Sequence, residues 1–159
     1  DMSELQTVSR DETIAVDALV DEVLVDLEPL AQEKEIKLIG NCKDTTMVGS
    51  DILIYRMVYN LVENAIKYNH FGGQVTVTAY RKGKSICLSV EDTGSGIPAE
   101  LKERIFEPFF RVDKSRSRQL GGVGLGLALV REIVRVHDGR ITVQSSPSGG
   151  TIFEVVFTQ

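Results

Sequence analysis

The stretch SDILIYRMVYNLVENAIKY, residues 50–68, decides which fold this chain can adopt. Its apolar residues recur every three or four positions, which predicts an amphipathic α-helix. The polar side of that helix carries two amides and several charges: Arg56, Asn60, Glu63, Asn64 and Lys67. The opposite side carries Ile54, Val58, Leu61 and Ala65. Because this side is apolar, it must pack against a second layer of structure.

Two further helices are predicted from the same kind of spacing. Residues 17–34 form the first, and Asp17 is a suitable N-cap for it. Residues 125–136 form the second. That helix ends before Asp138 and Gly139, and Gly139 is expected to take the left-handed conformation that closes many helices.

The remaining apolar segments have strand patterns, at residues 36–42, 74–80, 85–91, 140–145 and 151–158. Lys82-Gly83-Lys84 joins the second and third of them, which predicts a hairpin. Pro98 suits the first turn of a short helix that ends near residue 104. Together these elements predict an α+β fold: a two-layer sandwich with helices on one face of a mixed, mostly antiparallel sheet.

Composition limits the classes of function. The chain has 159 residues, 42% of them hydrophobic, which predicts one domain over residues 1–159. Its net charge of −5 argues against a nucleic-acid-binding surface. Cys42 and Cys87 lack metal-ligand spacing, which predicts buried free thiols in a reducing compartment. No apolar run is long enough to span a bilayer.

Asn60 and Asn64 lie one turn apart on the polar side of the helix at residues 50–68. A solvated helix surface is the simpler interpretation. The alternative is a nucleoside triphosphate site, because an amide oxygen is a hard ligand for Mg²⁺ and Lys67 can meet phosphate charge. These residues by themselves do not choose between the two.

Two glycine-rich segments favour the triphosphate. Asp92-Thr-Gly94-Ser-Gly96 follows a strand, and a carboxylate there can accept a hydrogen bond from the N6 amine of adenine, which guanine lacks. A tight turn is the alternative interpretation. GGVGLGL, residues 121–127, opens the last helix, where clustered backbone N–H groups bind anions. This segment matches neither the P-loop nor the dinucleotide fingerprint, and a flexible hinge is the alternative interpretation.

Five motifs occur in one order: Asn60–Tyr68, Asp92–Gly96, Ile105–Arg111, Gly122–Leu127 and Gly149–Thr151. They resemble the N, G1, F, G2 and G3 boxes of the histidine-kinase branch of the GHKL ATPases. The resemblance runs from about Asp17 to the end of the chain. It implies a Bergerat fold and the ATP-binding catalytic domain (HATPase_c) of a two-component sensor histidine kinase. Two departures are Val123, where the family often has threonine, and Ser-Gly-Gly-Thr in the third loop, where Gly-x-Gly-Thr is usual.

The resemblance implies a role for each matching position. Asn64 matches the Mg²⁺ ligand, and Asp92 matches the carboxylate that reads adenine. Asn60 and Lys67 match phosphate-side residues, and Arg111 is assigned to the γ-phosphate. Glu63 lies beside Asn64 and completes the catalytic candidates as a group that could take the proton from an incoming histidine; a solvated helix residue is its alternative interpretation. The other implied ATP contacts are Tyr68, Gly94, Gly96, Ile97, Gly122, Val123, Gly124, Leu125, Gly126, Leu127 and Thr151. An ATP lid is expected over residues 107–121, opening at Phe106.

Partners are also implied. Neither His70 nor His137 lies in the family's acceptor motif, so both are predicted to be structural, His137 as a cation favoured at a helix C-terminus. The acceptor histidine is expected on an upstream dimerisation domain of the same protein, of which residues 1–12 are a candidate remnant. A response-regulator receiver domain is the expected final recipient. Kinases of this type are commonly membrane-bound bacterial sensors, which places this domain on the cytoplasmic side.

Two other functions stay open. The ATPase clamps of the gyrase, Hsp90 and mismatch-repair branches have a glutamate base where this chain has Asn60, and an amide cannot take a proton from water. The other open function is an interaction module that binds nucleotide without transferring phosphate. Rapid ATP hydrolysis without an acceptor would favour a clamp.

Overall fold

Three α-helices cover one face of a five-stranded sheet in the computed structural model, which describes residues 2–108, 110 and 126–159. The described strands and α-helices are β1 Glu12–Ala15, α1 Val16–Glu33, β2 Lys37–Cys42, β3 Thr46–Gly49, α2 Asp51–Lys67, β4 Gln74–Lys82, β5 Ser85–Asp92, α3 Gly126–Val136, β6 Arg140–Ser145 and β7 Thr151–Thr158. A 3-10 helix, Met2–Thr7, precedes them. The predicted α+β sandwich is confirmed.

The five-stranded sheet has the order β2-β4-β5-β7-β6. β2 pairs with β4 in parallel, and the other neighbours pair antiparallel, so the sheet is mixed and mostly antiparallel. The predicted hairpin joins β4 to β5, with Lys82 paired to Ser85. Gly83 has φ of 62° in its turn, a conformation that glycine adopts without steric cost.

β1 and β3 form a separate two-stranded antiparallel ribbon that was not predicted. Ala15 pairs with Thr46, and Glu12 pairs with Gly49. Each strand has four residues, which is too short for a clear alternating pattern. The ribbon forms through pairing between segments that are distant in sequence, and it leads directly into both α1 and α2.

α2 matches its predicted range within one residue. Ser50 is its N-cap, and the Ser50 hydroxyl accepts a hydrogen bond from the Leu53 N–H at 3.3 Å. The buried side consists of Leu53, Ile54, Met57, Val58, Leu61, Val62, Ala65 and Ile66. Each large apolar side chain buried in this way stabilises the fold by about 1.5–3 kcal/mol relative to exposure. Burial of this side fixes the polar side of α2 facing outward.

The starts of two helical segments differ from prediction. α1 begins at Val16, and its N-cap is Ala15, which makes no side-chain capping bond. Asp17 lies instead in the first turn, where a negative charge is still favoured by the helix dipole. The segment after Pro98 is a 3-10 turn, Ala99–Leu101, rather than a longer helix, and Pro98 precedes it as the cap residue.

The end of α3 also differs. The left-handed residue there is Asp138, with φ of 57°, and not Gly139. Gly139 is required for a different reason: a Cβ at this position would lie 2.7 Å from Cδ1 of Phe157. The glycine therefore lets the chain pass close to β7.

Both cysteines are free thiols. Cys87 is buried, but Cys42 is only half-buried at the end of the edge strand β2, so the expectation of burial was wrong for Cys42. Partial burial and the charge of Asp21 raise the pKa of the Cys42 thiol.

Candidate nucleotide-binding site

Asp92 ends β5, and only 6% of it is exposed. Its Oδ1 accepts hydrogen bonds from the N–H of Gly94 at 2.8 Å and the N–H of Thr151 at 3.3 Å. Among the described residues, none donates to Oδ2. Burial raises the pKa of Asp92, and the two N–H donors oppose that rise. Oδ2 is therefore the atom that can accept a hydrogen bond from a ligand.

Glycines allow the two loops around Asp92 to pack together. A Cβ at Gly150 would lie 2.0 Å from the carbonyl oxygen of Asp92. A Cβ at Gly96, which has φ of 77°, would lie 2.7 Å from the carbonyl oxygen of Gly149. The Ser-Gly-Gly-Thr variant of the third loop thus places its second glycine directly against Asp92.

The C-terminal end of α2 lies against the same loop. A Cβ at Gly94 would be 2.5 Å from the carbonyl oxygen of Tyr68. Asn69 is 1% exposed, donates from Nδ2 to the carbonyl of Gln74 at 3.0 Å and accepts from the Thr93 hydroxyl at 3.1 Å. Asn69 and Thr93 were not predicted as site residues. An asparagine directly after a helix was the available signal, but its partners are distant in sequence.

The polar side of α2 faces the beginning of α3. Nδ2 of Asn60 lies 3.5 Å from the carbonyl oxygen of Gly126, a long hydrogen bond. Glu63 and Lys67 form an ion pair at 4.0 Å. Asn64 is half-buried, and its amide has no hydrogen-bond partner in the described part of the chain. The structure therefore brings Asn60, Asn64 and Lys67 onto one side of α2, beside the N-terminus of α3.

These groups fit a magnesium nucleotide. The described residues include no cluster of three or more His, Cys, Asp or Glu side chains that could hold a metal ion. A Mg²⁺ ion at the Asn64 amide would therefore take its other ligands from phosphates and water, as Mg²⁺ commonly does with nucleotides. The open Oδ2 of Asp92 provides the acceptor that an adenine amine needs.

Some predicted contacts cannot be placed. Arg111, Gly122, Val123, Gly124 and Leu125 lie outside the described residues, as does most of the expected lid at 107–121. Their roles stay predictions. Ile97 and Leu127 are half-buried and pack against the hydrophobic core.

Comparison with known proteins identifies this arrangement. Residues 49–159 match the family described as histidine kinase-, DNA gyrase B- and HSP90-like ATPases. The chain belongs to that family. The matched range begins one residue before the cap of α2 and contains each of the contacts described above.

The relatives of this ATPase domain are sensor kinases. The sensor-like histidine kinase SenX3 of Mycobacterium tuberculosis is 40% identical over 141 residues, which is 88% of this chain and 34% of SenX3. The adaptive-response sensory kinase SasA of Crocosphaera subtropica is 42% identical over 135 residues, 83% of this chain and 35% of SasA. The domain is thus the ATP-binding catalytic type found in histidine kinases, and it spans about a third of the length of these relatives.

Solved structures of histidine kinase catalytic domains have the same fold as this chain. The catalytic domain of the histidine kinase ThkA superposes with a TM-score of 0.84 at 27% identity, covering 94% of this chain and 96% of the ThkA domain. A longer ThkA chain has been solved in complex with the response regulator TrrA.

In the described part of this chain, none of the helices is both long enough and apolar enough to cross a membrane.

The F motif of the ATPase domain begins inside the core. Ile105 is 3% exposed and Phe106 is 7% exposed, and the Phe106 ring packs edge-on against Phe153 of β7. Phe106 was expected to open the lid, and the structure instead makes it a core residue. Phe110 is partly buried, with the Arg104 guanidinium 5.1 Å from its ring centre. Ile105 and Phe106 therefore anchor the first part of this motif to the sheet.

His137 links the two helices that carry the site. Its Nε2 accepts a hydrogen bond from the Ser50 N–H at 3.0 Å, and its Nδ1 lies 2.8 Å from the carbonyl oxygen of Ile133. The ring is therefore neutral, with the proton on Nδ1. Burial lowers the pKa of His137, and the charge of Arg10 adds to the effect while Asp138 opposes it. The expected cation at the helix end was wrong, because a protonated ring would lose the bond from Ser50.

We predict that the contribution of His137 to stability depends on pH. Because its folded pKa lies below the ordinary value of about 6.5, this contribution is complete above about pH 6.5 and is lost as the pH falls toward the folded pKa. Urea unfolding of the chain and of His137→Gln, at about pH 7.5 and pH 5.5, measures it. Between about pH 7.5 and pH 5.5, the free energy of unfolding should fall by about 1 kcal/mol more in the unsubstituted chain than in His137→Gln. Glutamine keeps a hydrogen-bond acceptor but does not titrate. An equal fall in both proteins would contradict the prediction.

Proposed function

We propose that this domain binds Mg·ATP and transfers its γ-phosphoryl group to a histidine on a separate dimerisation domain of the same protein. The observation that carries the proposal is Asp92. This carboxylate is buried and fixed by two backbone N–H groups, and its second oxygen is left open for the N6 amine of adenine. A buried acceptor of this kind favours ATP over GTP, because guanine presents a carbonyl at the same position.

The phosphates would lie between α2 and α3. The backbone N–H groups at the start of α3 provide an anion site, and Lys67 adds a positive charge from α2. The Mg²⁺ ion, when bound, neutralises charge that develops on the phosphates. The side chain of Asn64 would orient that ion, and Asn60 would hold the start of α3 through Gly126. Arg111, Gly122, Val123 and Gly124 are assigned to the phosphates from their motif positions.

Asn60 favours transfer over hydrolysis. Its Nδ2 points to the Gly126 carbonyl, and an amide cannot accept a proton from water at neutral pH. Glu63 lies one position before Asn64 on this side of α2 and forms an ion pair with Lys67 at 4.0 Å. We assign Glu63 as the group that accepts the proton from the incoming histidine. The domain on its own should therefore hydrolyse ATP slowly.

The partners follow from the same proposal. The phosphorylated histidine would pass its phosphoryl group to a response-regulator receiver domain, and ThkA has been solved with such a regulator. We place the domain on the cytoplasmic side of a bacterial sensor, because ATP and the regulator are found there.

A phosphotransfer assay tests this function. The chain is incubated with γ-labelled ATP, Mg²⁺ and the separately expressed dimerisation domain of the same protein. We expect label on the dimerisation domain in an acid-labile, alkali-stable form, as phosphohistidine is, and very slow release of free phosphate when that domain is omitted. Substituting the acceptor histidine by glutamine should remove the label and is the matched control.

Two results would contradict the proposal. Rapid, sustained phosphate release without the dimerisation domain would support an ATPase clamp. Tight ATP binding with no transfer to any histidine would support a nucleotide-binding interaction module.

A further inference from the structure

Lys34 lies directly after α1, and its ammonium group reaches the end of α2. Nζ donates hydrogen bonds to the carbonyl oxygens of Ile66 at 3.2 Å, Lys67 at 2.9 Å and Asn69 at 2.9 Å. A lysine ammonium has three N–H donors, so these three acceptors match its full capacity. Two of these acceptors, Ile66 and Lys67, belong to the last turn of α2, and the third, Asn69, follows the helix directly after its C-cap Tyr68.

The position of this charge is favourable. The last carbonyl groups of a helix lack partners within the helix and carry partial negative charge. A cation that bonds them stabilises that end of the helix, because hydrogen bonds from a charged donor are stronger than those between neutral groups. The chain next to Lys34 is also attached to this region, because the Lys34 carbonyl accepts from the Gly72 N–H at 2.9 Å.

Asn69 carries the connection onward to the loop of Asp92. Its carbonyl oxygen is bound by Lys34, and its side-chain oxygen accepts from the Thr93 hydroxyl at 3.1 Å. Thr93 follows Asp92 directly in the chain, and its hydroxyl also accepts from the Gln74 N–H at 3.0 Å. A continuous set of hydrogen bonds thus runs from the end of α1, across the end of α2, to the loop that holds Asp92.

We propose that Lys34 and Asn69 are positioning residues for the nucleotide. They form a clamp, defined as Lys34, Asn69 and Thr93, that fixes the distance between the polar side of α2 and Asp92. The inference rests on the proposed nucleotide site and adds to it a specific source of its geometry. Neither Lys34 nor Asn69 needs to contact the nucleotide.

The clamp matters because a bound ATP would contact two separate elements, the Asp92 loop and the polar side of α2. Adenine must reach Oδ2 of Asp92 while the phosphates reach Asn64 and Lys67, so both contacts form together only when the two elements are correctly spaced. If the end of α2 shifts, one contact is lost and binding weakens. At saturating ATP, the bound nucleotide itself holds Asp92 and the polar side of α2 at the correct spacing, so the groups around the γ-phosphate lie as they do in the unsubstituted chain. The clamp therefore affects KM more than kcat.

Lys34→Met tests the clamp. Methionine keeps much of the apolar stem but removes the ammonium. We expect the Kd for Mg·ATP in calorimetry to rise about tenfold, and the KM for ATP in the phosphotransfer assay to rise similarly, while kcat changes less than about twofold. Lys34→Arg, which keeps the charge and several donors, should restore a large part of the affinity.

Two controls separate positioning from general destabilisation. Lys37→Met removes an exposed charge three residues away and should leave the Kd unchanged. Ile86→Val shortens a fully buried side chain at the opposite end of β5 from Asp92, and the small cavity it leaves should destabilise the fold. Ile86→Val should lower the melting temperature without raising the Kd.

Thr93→Val gives a second test that leaves Lys34 intact. It removes the hydroxyl that joins Asn69 to the Asp92 loop, and we expect the Kd for Mg·ATP to rise about three- to tenfold. A Kd unchanged in both Lys34→Met and Thr93→Val would overturn the clamp while leaving the nucleotide site in place. Failure of the unsubstituted chain to bind Mg·ATP would overturn the site itself, and the clamp with it. If Lys34→Met does not fold, the result for Thr93→Val decides.

Discussion

Replacing Asp92 with asparagine should weaken ATP binding about 100-fold, which corresponds to about 2.7 kcal/mol. The asparagine oxygen would keep the two bonds that Oδ1 now accepts from Gly94 and Thr151. The amide NH₂ would then replace Oδ2 and would face the N6 amine of adenine, so that two donors meet without an acceptor. The same NH₂ can donate to the O6 carbonyl of guanine. The preference for ATP over GTP should therefore disappear or reverse.

Calorimetry with Mg·ATP and Mg·GTP measures both effects. Glu91→Gln is the matched control, because Glu91 is the neighbouring carboxylate on the same strand but bonds the Ser146 hydroxyl instead. It should leave both affinities unchanged. If Asp92→Asn kept the affinity for ATP and the selectivity against GTP, the assignment of Asp92 as the base-reading group would be wrong.

Replacing Asn64 with alanine should remove the dependence of ATP binding on Mg²⁺. The Asn64 amide is half-buried on α2 and has no partner among the described residues, so its loss leaves no described group unpaired. Alanine also has a higher helix propensity than asparagine, which keeps α2 intact. We expect the affinity for Mg·ATP to fall between 10-fold and 100-fold, to about the affinity seen for ATP with the metal chelated.

Titrations with and without a chelator separate the metal effect from a general loss of binding. Arg56→Ala is the control on the same helix, because Arg56 is exposed, lies about two turns before Asn64, and has its guanidinium 5.6 Å from the ring centre of Tyr59. It should retain the full Mg²⁺ dependence. Transfer activity should fall with binding in Asn64→Ala. A variant that still binds ATP more tightly with Mg²⁺ than without it would show that another group holds the metal.

Local pattern was sufficient to predict the long elements. Residues 50–68 read as a helix because eight buried side chains repeat at helical spacing, and the structure places α2 at Asp51–Lys67. β6 and β7 were predicted with their observed bounds. The pattern was insufficient for β1 and β3, since four-residue strands have little periodicity and depend on each other for pairing. The cap of α1 was also missed, because Asp17 has the composition of an N-cap although the helix starts one residue earlier.

The sequence also predicted which motifs belong to one site, but not how they are held together. Asp92 and the glycines were predicted from residue type, because few residue types can accept a base amine or allow a close backbone approach. Lys34, Asn69 and Thr93 were missed, since lysine after a helix and asparagine before glycines are common on solvated surfaces. Their hydrogen bonds join residues up to 35 positions apart.

The sequence by itself determined the apolar side of residues 50–68, the family motifs in their order, and therefore the family and the ligand class. Spacing along one helix or one loop is a local property, and it can be read without knowing the fold. Only the tertiary structure decided that the Asp92 carboxylate has one oxygen bound and one open, that His137 is neutral, and that Phe106 belongs to the core. These properties depend on burial and on hydrogen bonds between distant segments, which exist only after the helices have packed on the sheet.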